Sequence, residues 1–137
     1  MEPGAILVVE DDPDDRLFIG EALERAGFPG RALFAEDGAA ALERVKGRPP
    51  ALVLLDLMLP KLGGLDVLSR LRQDGHGMPV VIFTSSRLPA DVKRAYALGA
   101  NSYVSKPVEP EAFAAALKAV ATYWLEVNLS AAQAEEL

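Results

Sequence analysis

The sequence predicts a doubly wound α/β domain, in which a five-stranded parallel sheet in the order 2-1-3-4-5 has helices on both faces. The runs 5–10, 51–56 and 79–84 are apolar at nearly every position, as expected of strands buried on both faces of a parallel sheet. Segments with helical periodicity separate the strand candidates, so five β-α units follow one another. Right-handed crossovers between such units produce a doubly wound sheet.

The remaining elements follow from local signals. Pro13 begins the first helix and Asp12 caps it, with Asp14 and Asp15 in the first turn, where acids favour the helix dipole. Two weaker strand candidates, 31–35 and 101–106, fit the edges of the sheet. The other helices are predicted over 37–46, 64–73, 89–98 and 109–126.

Length and composition limit the classes of function. The 137 residues fit one domain, placed over 1–127, with a tail at 128–137 that we expect to contribute to a dimer interface. A net charge of −6 without a basic stripe argues against nucleic-acid binding, and the absence of cysteine excludes disulfides and thiolate sites. No segment approaches the ~20 apolar residues of a membrane span. We therefore expect a soluble, cytoplasmic domain.

Polar side chains collect where the predicted strands end. Glu10 and Asp11 follow the first strand, Asp56 ends the third, Thr84 ends the fourth and Lys106 ends the fifth. Open α/β sheets bind ligands outside the carboxyl ends of their strands, where the strand order reverses. These side chains are therefore expected to meet at one edge of the sheet.

The three carboxylates predict a site for a divalent cation. Glu10, Asp11 and Asp56 offer hard oxygen ligands, which suit Mg²⁺ or Mn²⁺. Asp56 can attack phosphorus once the metal and Lys106 neutralise the incoming anion. The sequence therefore predicts a phosphoryl acceptor.

Four stretches carry a resemblance to a known family. In their order and spacing, "ILVVEDD", "LLDLMLPKLGG", "IFTSS" and "GANSYVSKPV" resemble the receiver domain of two-component response regulators, a flavodoxin-like fold, over about residues 5–126. The resemblance implies that Asp56 is the phosphorylated aspartate. It also implies that Glu10, Asp11, Asp56 and the backbone carbonyl of Met58 hold the metal.

The same resemblance implies a conformational switch. Thr84 would turn towards the phosphoryl group, and Tyr103 would fill the space that Thr84 vacates. Lys106 would bind the phosphoryl oxygens, aimed inward by a cis bond to Pro107. The protein would then be no enzyme beyond Mg²⁺-dependent self-phosphorylation and autodephosphorylation, and a sensor histidine kinase would be its phosphoryl donor.

The last helix predicts a further partner surface. One apolar face should pack on the sheet, and a second apolar stripe lies beside it. That stripe comprises Ala112, Ala116, Ala119, Tyr123 and Val127. Alanines are also simply good helix formers, which is the alternative interpretation. "NSYVSKPV" and the aromatic tail resemble stand-alone regulators paired with phytochrome histidine kinases, which implies a homodimer formed through the last helix and tail.

Three alternatives belong to other classes. A pseudo-receiver would act as a scaffold without phosphorylation, although Asp56, Thr84 and Lys106 are all present. A small metal-dependent phosphohydrolase would need a second acid where Met58 stands. An FMN-binding flavodoxin would need a first loop that attracts phosphate, and "EDDPDD" would repel it.

Overall fold

The computed structural model describes residues 4–137 and contains one five-stranded parallel sheet, ordered β2-β1-β3-β4-β5. The first three residues of the predicted domain lie outside the described residues. The strands are β1 (Ile6–Val9), β2 (Ala32–Ala35), β3 (Leu52–Leu55), β4 (Val80–Thr84) and β5 (Ser102–Ser105). The helices are α1 (Pro13–Arg25), α2 (Gly38–Gly47), α3 (Gly64–Gln73), α4 (Pro89–Ala97), α5 (Pro110–Thr122) and α6 (Ala131–Ala134). The predicted fold class and strand order are confirmed.

The sheet separates two apolar cores. Strands β1, β3 and β4 are buried at every position, whereas the edge strands β2 and β5 are partly exposed. On one face the sheet packs against α2, α3 and α4, and on the other against α1 and α5. Covering both faces explains why the central strands lack polar alternation. All four strand pairs are parallel, so their carboxyl ends lie at one edge.

Arg72, in the last turn of α3, binds the segments that precede β4 and β5, at the amino ends of these strands. Its guanidinium donates to the carbonyls of His76, Met78 and Gly99 at 2.7–3.0 Å, and to Asn101 Oδ1 at 2.9 Å. Burial lowers the pKa of Arg72. These contacts join the segments that lead into β4 and β5.

The last predicted helix, 109–126, is not one regular helix. Helix α5 ends at Thr122, and a π-helical turn follows over Tyr123–Val127. The backbone N–H of Asn128 donates to the carbonyl of Tyr123 at 2.6 Å, which closes a turn one residue wider than an α-helical turn. Within residues 4–137, no helix combines the length and apolarity needed to cross a bilayer.

Candidate functional site

The carboxyl edge of the sheet gathers buried polar side chains. Glu10 follows β1, Asp56 follows β3 and Thr84 ends β4. In the described part of the chain, these three are the polar or charged residues that are buried, at 2%, 6% and 0% exposure. A protein interior accepts such groups only when they are paired or hydrogen-bonded. The predicted convergence of these strand ends is therefore present.

Lys106 provides the positive charge for this cluster. Its Nζ donates to Glu10 Oε1 at 2.5 Å, to Asp15 Oδ2 at 2.7 Å and to Asp56 Oδ2 at 2.9 Å. The Lys106 side chain is only 7% exposed. An ammonium has three N–H donors, so three carboxylates use all of them.

The peptide bond between Lys106 and Pro107 is trans, so the cis bond implied by the family resemblance is wrong. The backbone N–H of Lys106 donates to the carbonyl of Thr84 at 2.8 Å, extending the pairing of β5 with β4. This pairing already directs the lysine towards the acids, and a trans bond suffices.

Asp56 is held as a carboxylate. Burial acts to raise its pKa, but the backbone N–H of Met58, the Lys106 ammonium and the Thr84 hydroxyl lower it further than burial raises it. Met58 N and Thr84 Oγ1 donate to Asp56 Oδ1 at 3.1 and 2.7 Å. The net pKa of Asp56 lies below its usual value, which keeps the anion that a nucleophile requires.

The pKa values of Glu10 and Lys106 are both raised above their usual values. Burial raises the pKa of Glu10 to about 7, despite its hydrogen bond from Lys106. Burial acts to lower the pKa of Lys106, but its bonds to Asp15, Glu10 and Asp56 outweigh burial and raise it. Lys106 is therefore charged at neutral pH.

Asp15 is a site residue that the sequence analysis missed. Asp14 and Asp15 were both predicted to be plain first-turn acids of α1, and Asp14 is exposed as expected. Asp15 instead binds Lys106. The signal lay in the spacing, because Asp15 precedes the buried Ile19 by four residues and shares its helix face.

Asp11 differs from Glu10 and Asp56, the other two predicted carboxylate ligands, because it is not buried. Its side chain is exposed and makes no hydrogen bond or ion pair within residues 4–137. Arg16 Nη1 donates to the backbone carbonyls of Glu10 and Asp11, both at 2.9 Å, which fixes the path of the chain after β1. Sequence reasoning also missed this role of Arg16.

No group of three or more His, Cys, Asp or Glu side chains in the described residues is arranged to hold a metal ion. The Lys106 nitrogen instead joins Glu10 to Asp56. The chemistry of the donor set still fits a hard cation, since carboxylates and the Met58 carbonyl are the oxygen ligands that Mg²⁺ prefers. The residues at this edge therefore fit a divalent cation by the chemistry of their ligand atoms.

The two predicted switch residues lie on adjacent strands. Thr84 bonds Asp56, as described above, and Tyr103 on β5 is partly buried. The Tyr103 hydroxyl donates to the backbone carbonyl of Ser86 at 2.9 Å, in the loop that follows β4. Ser86 Oγ donates to Asp91 in the first turn of α4. A continuous set of contacts therefore links this loop to β5 and α4.

Gly64, the first residue of α3, packs against the loop that carries Asp56. A Cβ at position 64 would meet the carbonyl oxygen of Asp56 and lie 2.6 Å from Leu57 Cα. We expect Gly64→Ala to lower the free energy of unfolding by about 1–3 kcal/mol, because backbone must move to admit the methyl group. Urea denaturation measures this loss.

Gly47→Ala is the matched control, since Gly47 ends α2 and a Cβ there meets nothing within 4 Å. It should leave stability unchanged or raise it by up to about 1 kcal/mol. Equal stability of the two variants would contradict the close packing assigned to Gly64.

The predicted interface stripe lies mostly on the surface. Ala112 and Ala119 are exposed, Tyr123 is 47% exposed and Val127 is 62% exposed. Ala116 packs partly against the core that α1 and α5 share. The exposed members leave apolar area uncovered in a single chain.

Comparison with known proteins identifies relatives over nearly the whole chain. The response regulator receiver domain family matches residues 6–118. The probable methanogenesis regulatory protein FilR2 of Methanothrix harundinacea is 39% identical, in an alignment that covers 94% of this chain and 88% of FilR2. Several other curated relatives are transcriptional regulatory proteins, and the chain spans about half of their length.

Two solved structures have the same fold. The Mn²⁺-bound form of response regulator Rcp1 is 31% identical, with a TM-score of 0.85, and the match covers 93% of this chain and 98% of that one. The phosphorylated cyanobacterial phytochrome response regulator RcpA is 30% identical, with the same TM-score and coverage. Receiver domains are signalling proteins that histidine kinases phosphorylate on aspartate, and they generally bind Mg²⁺. The chain therefore belongs to the response regulator receiver family.

Proposed function

We propose that Asp56 is the phosphoryl acceptor of this receiver and that its phosphorylation changes partner binding. The observation that carries the proposal is the state of Asp56. It is buried, it is kept anionic, and it bonds Lys106 through one oxygen and Thr84 through the other. A carboxylate flanked by a cation and a hydroxyl at the end of a strand suits acyl-phosphate formation.

In the transfer, a carboxylate oxygen of Asp56 forms a bond to phosphorus while the phosphorus–nitrogen bond of the donor phosphohistidine breaks. The histidine leaves with the electron pair of that bond. A divalent cation, Mg²⁺ or Mn²⁺, would be held by Glu10, Asp11, Asp56 and the Met58 carbonyl, and would neutralise charge on the transferred group. Lys106 binds the phosphoryl oxygens from the side of β5.

The switch follows from the contacts of Thr84 and Tyr103. Thr84 exchanges its bond to Asp56 for a bond to the phosphoryl group, and Tyr103 turns into the space beside β4. Because the Tyr103 hydroxyl bonds the loop after β4, its movement alters the surface formed by α4, β5 and α5. The likeness to RcpA and the aromatic residues of the π-helical turn after α5 support a phytochrome histidine kinase as the phosphoryl donor.

Incubation of the protein with acetyl phosphate and MgCl₂ tests the proposed function. Intact-mass spectrometry should show the gain of one phosphoryl group, and peptide mapping should place it on Asp56. Excess EDTA should prevent the gain. Continued catalytic release of inorganic phosphate, without accumulation of the acyl phosphate, would favour a phosphohydrolase, and no reaction at all would favour a scaffold.

A homodimer through α5 and the tail is a second, separate proposal. Tyr123, Val127 and Leu129 are 47%, 62% and 64% exposed, an apolar surface at the end of the chain's longest helical segment. We expect Tyr123→Asp to convert a dimer into a monomer at micromolar concentration, because it places a charge within an apolar contact. Sedimentation velocity measures the change in mass.

Tyr96→Asp is the matched control, since Tyr96 lies on α4 and is 48% exposed, almost the same as Tyr123. It should remain a dimer. A wild-type protein that is monomeric with and without beryllofluoride would remove this proposal and leave the phosphoacceptor proposal intact.

A further inference from the structure

We infer that Asp15 is a positioning residue for Lys106 and keeps its ammonium group at the phosphoacceptor while the other partners of Lys106 are engaged elsewhere. The inference rests on the proposed function and extends it to a residue outside the predicted ligand set. Its basis is the contact of Asp15 Oδ2 with Lys106 Nζ at 2.7 Å.

The three partners of Lys106 are not equivalent. Glu10 and Asp56 belong to the proposed metal site, and Asp56 is also the group to be phosphorylated. When a cation and a phosphoryl group engage these two carboxylates, they compete with the lysine for the same oxygens. Asp15 is neither a proposed metal ligand nor the phosphoryl acceptor, so its contact with Lys106 can persist throughout the reaction.

Asp15 is well placed to serve as a fixed point. It lies in the first turn of α1, whose buried Ile19 and Leu23 hold the helix against the sheet and α5. The Asp15 side chain is 27% exposed, compared with 7% for Lys106, so the carboxylate stands at the outer side of the ammonium. The carboxylate of Asp15 is therefore carried by a well-packed helix, and it lies beside Lys106, which directly follows β5.

Asp15 is also an anion close to the place where an anionic phosphoryl group arrives. Two features reduce the resulting repulsion. The carboxylate bonds directly to the ammonium, and the positive end of the α1 dipole lies beside the first turn. The expected net effect of Asp15 is therefore to hold Lys106 in place and to speed phosphoryl uptake.

The test compares Asp15→Asn with Asp14→Asn. Both substitutions remove one negative charge from the same helical turn, and Asp14 is exposed and makes no side-chain contact with Lys106. Asparagine should fit at position 15 because it has nearly the same shape as aspartate, and Asp15 lines a cavity of about 420 Å³ between α1 and α5. Asp15→Glu keeps the charge and serves as the rescue variant.

Three measurements are made on each variant. These are the rate of phosphoryl uptake from acetyl phosphate at saturating MgCl₂, the affinity for Mn²⁺ alone, and the NMR signal of the Lys106 ammonium nitrogen. Asp15→Asn should slow uptake about tenfold, the lower end of the cost of losing a group that orients a site residue. It should shift the Lys106 signal and leave Mn²⁺ affinity within about twofold, because the partly exposed Asp15 bonds Lys106 and none of the proposed metal ligands.

Asp14→Asn should match the wild type in all three measurements, and Asp15→Glu should recover most of the uptake rate. Uptake by Asp15→Asn that equals or exceeds that of Asp14→Asn would overturn the inference, because Asp15 would then be neutral or a competitor of the phosphoryl group. If the wild type takes up no phosphoryl group, the proposed function fails. The Lys106 signal then decides the positioning claim by itself, since an unchanged signal in Asp15→Asn overturns it.

Discussion

Asp56→Asn is expected to abolish phosphoryl uptake. The amide cannot form the acyl phosphate, because its nitrogen and carbonyl oxygen lack the negative charge that attacks phosphorus. Asparagine has nearly the same shape as aspartate, and its carbonyl oxygen can still accept from Thr84 and Met58, which donate to Asp56 Oδ1. The fold should therefore persist, and the loss should be one of chemistry.

Intact-mass spectrometry after incubation with acetyl phosphate and MgCl₂ measures this loss. Asp74→Asn is the control, because Asp74 is an exposed acid that follows α3, in the connection leading to the start of β4. It should gain one phosphoryl group as the wild type does. A phosphoryl group on Asp56→Asn would move the acceptor to another residue and contradict the proposed function.

Lys106→Met is expected to cause the largest loss of stability. It leaves Glu10 and Asp56 buried without their shared cation. Removing one partner of a buried ion pair typically costs about 3–5 kcal/mol, since the remaining charge stays out of water. Urea denaturation in EDTA at pH 8 measures the difference in the free energy of unfolding.

The loss should shrink as the pH falls. A carboxyl whose pKa is raised in the folded state binds a proton more tightly there than in the unfolded chain, so acid favours the folded state. The pKa of Glu10 is about 7 even beside Lys106, and removal of the lysine should raise it further. Stability of Lys106→Met should therefore improve relative to the wild type as the pH falls from 8 to about 7, and Glu10 adds no further difference below that pH because it is then protonated in both proteins.

Lys118→Met is the control for a lost positive charge, because Lys118 is exposed on α5. It should change the free energy of unfolding by no more than about 0.5 kcal/mol. If Lys106→Met is as stable as this control at pH 8, the acids would not depend on Lys106 for their burial.

Much of the fold could be predicted from the sequence because the local signals agree with one another. Strands buried on both faces are apolar at nearly every position, and the observed strands lie within one or two residues of the predicted runs. Asp12 caps α1 as expected, since its side chain accepts from Asp14 N. The convergence of Glu10, Asp56, Thr84 and Lys106 then follows from parallel pairing alone.

The details that escaped prediction depend on contacts between distant elements. Lys106 meets Asp15 across 91 positions of sequence, and the rotation of α1 decides which of two adjacent acids faces it. The cis bond at Pro107 came from the family resemblance and not from these residues, and the pairing of β5 makes it unnecessary. In the sequence, Arg72 looks like an ordinary helix residue. Its contacts with the loops before β4 and β5 exist only in the folded protein and could not be predicted.

The wide turn at Tyr123–Val127 makes the direction of the last ten residues sensitive to chain length. An α-helix turns by about 100° per residue, so removal of one residue here, with a return to regular helix, would swing residues 128–137 a quarter-turn or more around the helix axis. Relatives that differ by a single insertion at this point would direct their ends to different sides of the domain, despite having the same carboxyl edge of the sheet. Assembly could thus diverge between such relatives while their phosphoryl chemistry stays the same.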